Sequence, residues 1–240
     1  MEHTKVALVT GAGSGIGRCV AEQLAHAGWR LALVGRREAT LEATAAVIGE
    51  RSADAPELLI TPADVADAAQ ARSAVEIAHT QWGRLDALVN CAGVAPLASI
   101  DETDEDLLYQ TFAVNTFGPA VTIARAWPIF REQGSGCIVN VSSLASVDPF
   151  PGFFVYAASK SAVESLTRSA VREGAEFGVR AFSVAFGAVE TPMLRALFSP
   201  RELPASKTMT AAAAAHVVTD CVLGRRDDEN GSVIVVSGPA

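Results

Sequence analysis

Basic charge is scarce in this 240-residue chain: 19 Lys and Arg stand against 27 Asp and Glu, for a formal charge of −8. That balance offers no footprint for duplex nucleic acid or an anionic membrane surface, so any phosphate held here must be met by a local arrangement. Long apolar runs are absent as well. No stretch approaches the roughly 20 apolar residues of a membrane-spanning helix, and Lys5 leads directly into a short apolar run ending at a glycine turn, with no small-residue cleavage site. A soluble, cytoplasmic protein is expected. Cysteine is limited to Cys19, Cys91, Cys137 and Cys221, which form neither a C-x-x-C pair nor a histidine-partnered zinc spacing. They read as small buried hydrophobes in a reducing compartment, and no metal site is expected. Internal repeats, low-complexity linkers and composition shifts are also missing, so one domain over residues 1–240 is expected.

What the chain does contain is apolar surface: 50% of residues are hydrophobic and 19% charged, enough for a large core. Short β-branched or apolar runs alternate with longer helix-periodic segments, the pattern of βαβ units in a parallel sheet. Strands are expected at 6–10, 30–34, 57–61, 87–90, 136–142, 180–185 and 232–236. Ile16, Val20 and Leu24 recur on one helical face, as do Leu166, Ala170 and Gly174. Thr210 before the alanine run 211–215 reads as a helix N-cap. The acidic run 101–106 fits the first turn of a long helix, where negative charge is favoured, rather than a metal site.

Two local patterns carry chemistry. Thr10-Gly11-Ala12-Gly13-Ser14-Gly15-Ile16-Gly17 follows the first strand and opens the first helix. Glycines there let the backbone approach a pyrophosphate, and the free N–H groups of the helix end favour its charge. Tyr156 and Lys160, four residues apart, share one helix face. A nearby cation favours the phenolate and pulls a tyrosine pKa down from roughly 10, which makes the hydroxyl a usable general acid. Ser142 and Ser143 end the fifth expected strand, on the carboxyl edge where such sheets place ligands.

Together these segments resemble the short-chain dehydrogenase/reductase family, in its compact branch, across almost the whole chain. The resemblance rests on T-G-x-x-x-G-I-G at 10–17, Asp64-Val65, Asn90-Cys91-Ala92-Gly93 where the family has N-N-A-G, Asn115, Ser143, Tyr156 to Lys160 and Val189-Glu190-Thr191-Pro192. It implies a three-layer, doubly wound α/β Rossmann fold with a seven-stranded, mainly parallel sheet and a substrate-covering segment near 188–210. It also implies a catalytic set of Asn115, Ser143, Tyr156 and Lys160. Ser143 would steady the negative charge on a substrate oxygen, Lys160 would also bond the nicotinamide ribose, and Asn115 would sit in a distorted helix serving a water that links the lysine to solvent. For the cofactor it implies Gly11, Ser14, Gly15, Ile16 and Gly17 around the pyrophosphate and Asp64 and Val65 at the adenine. Asn90, Ala92 and Gly93 would form the central wall, with Gly187, Val189 and Thr191 beside the nicotinamide. Asp64 also reads as a helix cap and Asn90 as a turn former.

Gly35 stands where NAD-preferring relatives place aspartate, and Arg36 and Arg37 follow where NADP-preferring ones are basic. NADP(H) is therefore expected, with NAD(H) also usable. Val94, Leu144, Phe150, Phe153, Phe154, Phe186, Leu194, Leu197 and Phe198 suggest an apolar pocket for a small ketone, aldehyde or secondary alcohol, and they equally suit core or subunit contacts. Arg195 reads as a surface residue or a contact for an anionic substrate. The resemblance further implies a homodimer or homotetramer built on the helices carrying Asn115 and Tyr156. Two segments depart from the family: Phe186-Gly187 replaces proline-glycine, and the chain ends Val236-Ser237-Gly238-Pro239-Ala240. The expected activity is reversible, NADP(H)-dependent hydride transfer with Tyr156 as general acid/base. An NAD-dependent alcohol dehydrogenase, and a binding-only sensor or scaffold on the same fold, share these residues.

Overall fold

Side chains along a strand alternate between the two faces of a sheet, and all five residues of β1 (Val6–Thr10) are buried. Both faces of that strand must therefore be covered, which requires helices on each side. A computed structural model describing residues 3–50 and 56–238 shows how the chain supplies them. α1 (Gly15–His26) leads to β2 (Arg30–Gly35), α2 (Glu38–Glu50) to β3 (Leu58–Pro62) and α3 (Ala68–Trp82) to β4 (Ala87–Asn90). α4 (Glu105–Phe112), a π-helical turn (Ala113–Phe117) and α5 (Gly118–Gln133) lead to β5 (Gly136–Ser143). α6 (Phe154–Gly174) leads to β6 (Val179–Phe186), after which β7 (Val189–Glu190), α7 (Pro192–Leu197), β8 (Met209–Thr210), α8 (Ala211–Val222) and β9 (Val233–Val236) complete the described chain.

Seven strands form one sheet in the order β3-β2-β1-β4-β5-β6-β9, and every pairing in it is parallel. The parity of β1 separates two cores. Ala7 and Val9 pack with Val20 and Leu24 of α1 and Ala214 and Val218 of α8. Val6 and Leu8 pack with Val75 of α3, Ala126 and Phe130 of α5 and Ala170 of α6. The seven expected strands all form, with ends displaced by a residue or so. The β7–β8 pair was not expected, because two residues per strand are too few to display alternation.

Helix starts follow local chemistry. Asp67 accepts from Ala69 N at 2.8 Å and Gln70 N at 3.1 Å to cap α3, and Thr210 accepts from Ala213 N at 3.1 Å to cap α8 as expected. The acidic run is corrected in detail: Asp101 and Glu102 belong to a separate 3₁₀ turn, and Asp104 is the cap of α4, accepting from Leu107 N at 2.8 Å. The break arises because Thr103 is extended between the two turns. Pro239 and Ala240 of the unusual C-terminus lie outside the described residues. Among the described residues no helix is long and apolar enough to cross a membrane, and no acidic, histidine or cysteine cluster could hold a metal ion.

The sheet order also places the site. After β3 at one edge the chain returns to β4 beside β1, so the loops leaving β1 and β4 diverge and open a crevice between them. Thr10 fastens its floor: its hydroxyl oxygen accepts from the amides of Cys91 and Ala92, each at 3.1 Å. Gly11, at φ 69°, passes so close to the β4 loop that an added Cβ would lie 2.9 Å from Ala92 N. Thr10→Val keeps the shape and strands those two amides, so it should cost about 2 kcal/mol. Urea denaturation of the two proteins measures this, and an unchanged midpoint would show that the amides find other partners.

Candidate active site

The crevice is a cleft of about 660 Å³ that runs across the carboxyl edge of the sheet. At one end the glycine turn closes on itself: a Cβ on Gly17 would sit 2.5 Å from Gly11 O, so α1 starts hard against the loop. Gly11, Ser14, Gly15, Ile16 and Gly17 all line the cleft, with the N-terminus of α1 behind them. Arg36 and Arg37, after β2, line the same end, and neither has a carboxylate partner among the described residues. Asp64 and Val65 follow β3 along the same wall. Asp64 does not cap α3, a role filled by Asp67; its Oδ1 instead accepts from Ala66 N at 3.0 Å.

Ala92 and Gly93 form the middle of the cleft, while Gly187, Val189 and Thr191 face them from beyond β6. A Cβ on Gly93 would come within 3.3 Å of Asn115 Oδ1 and 3.4 Å of Lys160 Nζ, so the glycine leaves the lysine its space. Thr191 accepts from Leu194 N at 3.2 Å and donates to Val189 O at 3.2 Å, which starts α7 at the cleft wall.

Ser143, Tyr156 and Lys160 meet at the far end. Ser143 ends β5; its hydroxyl accepts from Ala145 N at 3.2 Å and acts on the Tyr156 phenol to lower its pKa. Lys160 is buried, donates to Val141 O at 2.9 Å and places Nζ 5.9 Å from the centroid of the Tyr156 ring. Its pKa is lowered to about 8, first by burial, against which Cys91 and Glu164 act to raise it. The expectation that Tyr156 is already pulled toward neutral pH is corrected. Burial pushes the phenol above its ordinary value, and Ser143 only partly opposes this. The lysine ammonium lies over the ring and on the Val141 carbonyl.

Two of the sequence-selected residues do not reach the cleft. Asn90 turns inward, donating to Asn140 Oδ1 at 2.9 Å and accepting from Thr122 at 3.0 Å. That chain continues through Thr167 to Ser183 and satisfies polar groups across the middle of the sheet. Asn115 is buried in the π-helical turn, where its side chain donates to Val94 O and Ser159 Oγ at 2.9 Å each and accepts from Val94 N at 2.8 Å. It holds the β4 loop to α6 by its side chain. The helix around it is distorted.

Of the apolar set, Phe154 is corrected: it starts α6 on its exposed side and is absent from the cleft wall. Val94, Leu144, Phe150, Phe153, Phe186, Leu194, Leu197 and Phe198 do line it, as does Met193. Arg195 is neither a free surface residue nor a free cation. It pairs with both carboxylate oxygens of Glu190 and donates to Leu203 O at 2.8 Å and Phe198 O at 3.3 Å. Sequence reasoning missed Cys91 as a cleft residue, although its place in the N-C-A-G segment was the available signal. Burial pushes its thiol up to about 12, so it stays protonated. None of the four cysteines is joined in a disulfide.

The residues present fit a nicotinamide dinucleotide: a glycine-lined helix N-terminus for a pyrophosphate, two arginines at one end and a serine, tyrosine and lysine at the other. Comparison with known proteins agrees. The family model described as short chain dehydrogenase matches residues 5–202. Levodione reductase of Leifsonia aquatica is 37% identical over 194 residues, covering 79% of this chain and 71% of that protein. The 2-(R)-hydroxypropyl-CoM dehydrogenase of Xanthobacter autotrophicus is 33% identical over 98% of both chains. The solved structure of levodione reductase superposes with a TM-score of 0.92 at 30% identity, covering 99% of this chain and 98% of that one. A 3-ketoacyl-(acyl-carrier-protein) reductase from Brucella melitensis, solved with NADH, gives 0.89 at 28% identity over 98% and 97%.

The buried lysine sets a stability test. Its unfolded form holds the proton up to 10.5 and its folded form only to about 8. Burying the cation therefore destabilises the fold fully below pH 8, and the penalty is relieved as pH rises from 8 toward 10.5. Unliganded Lys160→Met should be more stable than wild type at pH 7, by up to ~3 kcal/mol, with the gap closing at alkaline pH. Urea titrations at several pH values check this, and a less stable methionine variant at pH 7 would contradict it.

Proposed function

The chain belongs to the short-chain dehydrogenase family and is an NAD(P)-dependent dehydrogenase/reductase, and from that premise we propose that it uses NADP(H) to interconvert a neutral, apolar ketone or aldehyde and the corresponding alcohol. The observation that carries this reading is the convergence of Ser143, Tyr156 and Lys160 at the apolar end of a cleft whose other end is lined by Arg36 and Arg37. The nicotinamide supplies or accepts the hydride. Ser143 donates to the substrate oxygen and opposes its developing charge. Tyr156 gives that oxygen its proton in reduction and removes it in oxidation. Lys160 anchors the nicotinamide end and opposes negative charge on the phenol, and Asn115 keeps the Val94 loop in place. Two relatives named a reductase and a dehydrogenase correspond to the two directions of one such reaction.

Arg36 and Arg37 support NADP(H) because a free guanidinium pairs with a 2′-phosphate in a bidentate way, and no carboxylate at Gly35 repels it. Charge also argues for a neutral substrate: Arg195 is committed to Glu190, and the substrate end carries the Glu202 carboxylate. Residues 188–210 form the cover of that end, stitched by the Glu190–Arg195 pair. We read residues 1–240 as one domain, in a cytoplasmic homodimer or homotetramer that contacts through α4, α5 and α6, where Tyr109, Phe117 and Phe154 are exposed.

Three outcomes follow from this reading. Tyr156→Phe should lose roughly 10²- to 10⁴-fold in kcat while binding NADPH normally, and near-wild-type turnover would remove Tyr156 from proton transfer. Arg36→Ala should weaken NADPH binding about 10- to 100-fold and leave NADH binding unchanged, as read by fluorescence titration; equal effects on both cofactors would assign the 2′-phosphate elsewhere. In a panel of carbonyls matched for size, neutral apolar members should outrun carboxylates in kcat/KM, and the reverse order would overturn the substrate class.

A further inference from the structure

Glu164 is a buried carboxylate with no part in the chemistry described so far. It lies one helical turn beyond Lys160 on α6, so the two side chains share a face. Its Oε1 accepts from Ser142 Oγ at 2.7 Å and lies 2.5 Å from Ser146 Oγ. These serines flank Ser143 on both sides along the chain. Ser146 Oγ is also within 2.6 Å of Ser143 O, and Ser146 O accepts from Ser161 of α6 at 3.2 Å. Glu164 thus ties the segment carrying Ser143 to the helix carrying Tyr156 and Lys160. A buried carboxylate is costly unless fully hydrogen-bonded, and an apolar side chain would fill the same space without that cost.

We propose that Glu164 is a positioning residue: it fixes Ser143 against Tyr156 by holding Ser142 and Ser146 to α6, and it is the negative charge that Lys160 faces inside the protein. The second role rests on the same geometry. The titratable groups facing Lys160 are Cys91, from the loop after β4, and Tyr156 and Glu164 on its own helix. Cys91 stays a neutral thiol and Tyr156 a neutral phenol, both held up by burial. Glu164, one helical turn away on the same face, is then the carboxylate that acts on Lys160 against burial. The positioning role rests on the proposed oxidoreductase function; the charge role is measurable without turnover.

The chain contains three lysines, Lys5, Lys160 and Lys207, so ¹³Cε-lysine labelling of the unliganded protein yields a small set of resonances that Lys160→Arg assigns. Glu164→Gln keeps an acceptor for the serines and removes the charge, and it should lower the Lys160 titration by about one pH unit. A Ser142→Ala/Ser146→Ala double variant keeps the charge and should leave that titration in place. In turnover, Glu164→Ala and the double serine variant should lose roughly 10- to 100-fold in kcat, with KM for NADPH unmoved, and Glu164→Gln should lose less than Glu164→Ala. A Lys160 titration unmoved in Glu164→Gln overturns the charge role, and wild-type kcat in Glu164→Ala overturns the positioning role. If the wild-type protein reduces no carbonyl, the oxidoreductase reading fails and the positioning role falls with it, while the lysine titration still decides the charge role.

Discussion

The reacting end of the cleft depends on one interaction, the bond from the Lys160 ammonium to the Val141 carbonyl at 2.9 Å. It joins α6 to the carboxyl end of β5, and it holds a cation where burial disfavours one. Ser143 lies two residues beyond Val141 and Tyr156 one turn before Lys160, so the same bond sets the spacing of the serine and the phenol. Supporting contacts reinforce it: Asn115 ties the β4 loop to Ser159, Thr116 donates to Ser159 O at 3.0 Å, and Glu164 binds both serines beside Ser143. The site is a small polar assembly clamped between a helix and a parallel sheet. Its cost in stability is the expected companion of a functional charge.

The two ends of the cleft differ in charge and in lining in a chain that is acidic overall. At one end the glycine turn offers backbone amides, and Arg36 and Arg37 supply local positive charge without a carboxylate partner among the described residues. At the other, Arg195 is drawn into a bidentate pair with Glu190, so the covering segment gains cohesion and the pocket remains apolar. Thr208 strengthens this arrangement by donating to Glu190 at 3.1 Å. Phe186 ends β6 buried against the cleft, adding an aromatic wall beside the reacting end.

Most of the architecture was legible because burial on both faces forces continuous apolar runs, and a parallel sheet needs a helical return between strands. The glycine turn, the paired arginines and the Tyr156 to Lys160 spacing are local patterns, readable without knowing the fold. What escaped was relational. Asn90 looked like a cleft residue from its place in the motif, but the sheet aims it inward at Asn140. Arg195 read as a surface residue or an anion contact because its partner, Glu190, sits five residues earlier in a two-residue strand too short to register. The Tyr156 pKa was misjudged because proximity to a cation is visible in a sequence and depth of burial is not. Glu164 gave no signal at all, since a glutamate four residues after a lysine is ordinary until its serine partners on β5 are known.

The central claim is that hydride and proton reach one substrate carbon and oxygen in this cleft. The most direct test is a single turnover of purified protein with NADPH deuterated at the transferring position and a neutral apolar ketone, followed by mass analysis of the alcohol. The account predicts one deuterium on the carbinol carbon with wild-type protein, and none formed in that time with Tyr156→Phe despite normal NADPH binding. Tight NADPH binding by wild-type protein with no deuterium transferred to any carbonyl of the panel would contradict it.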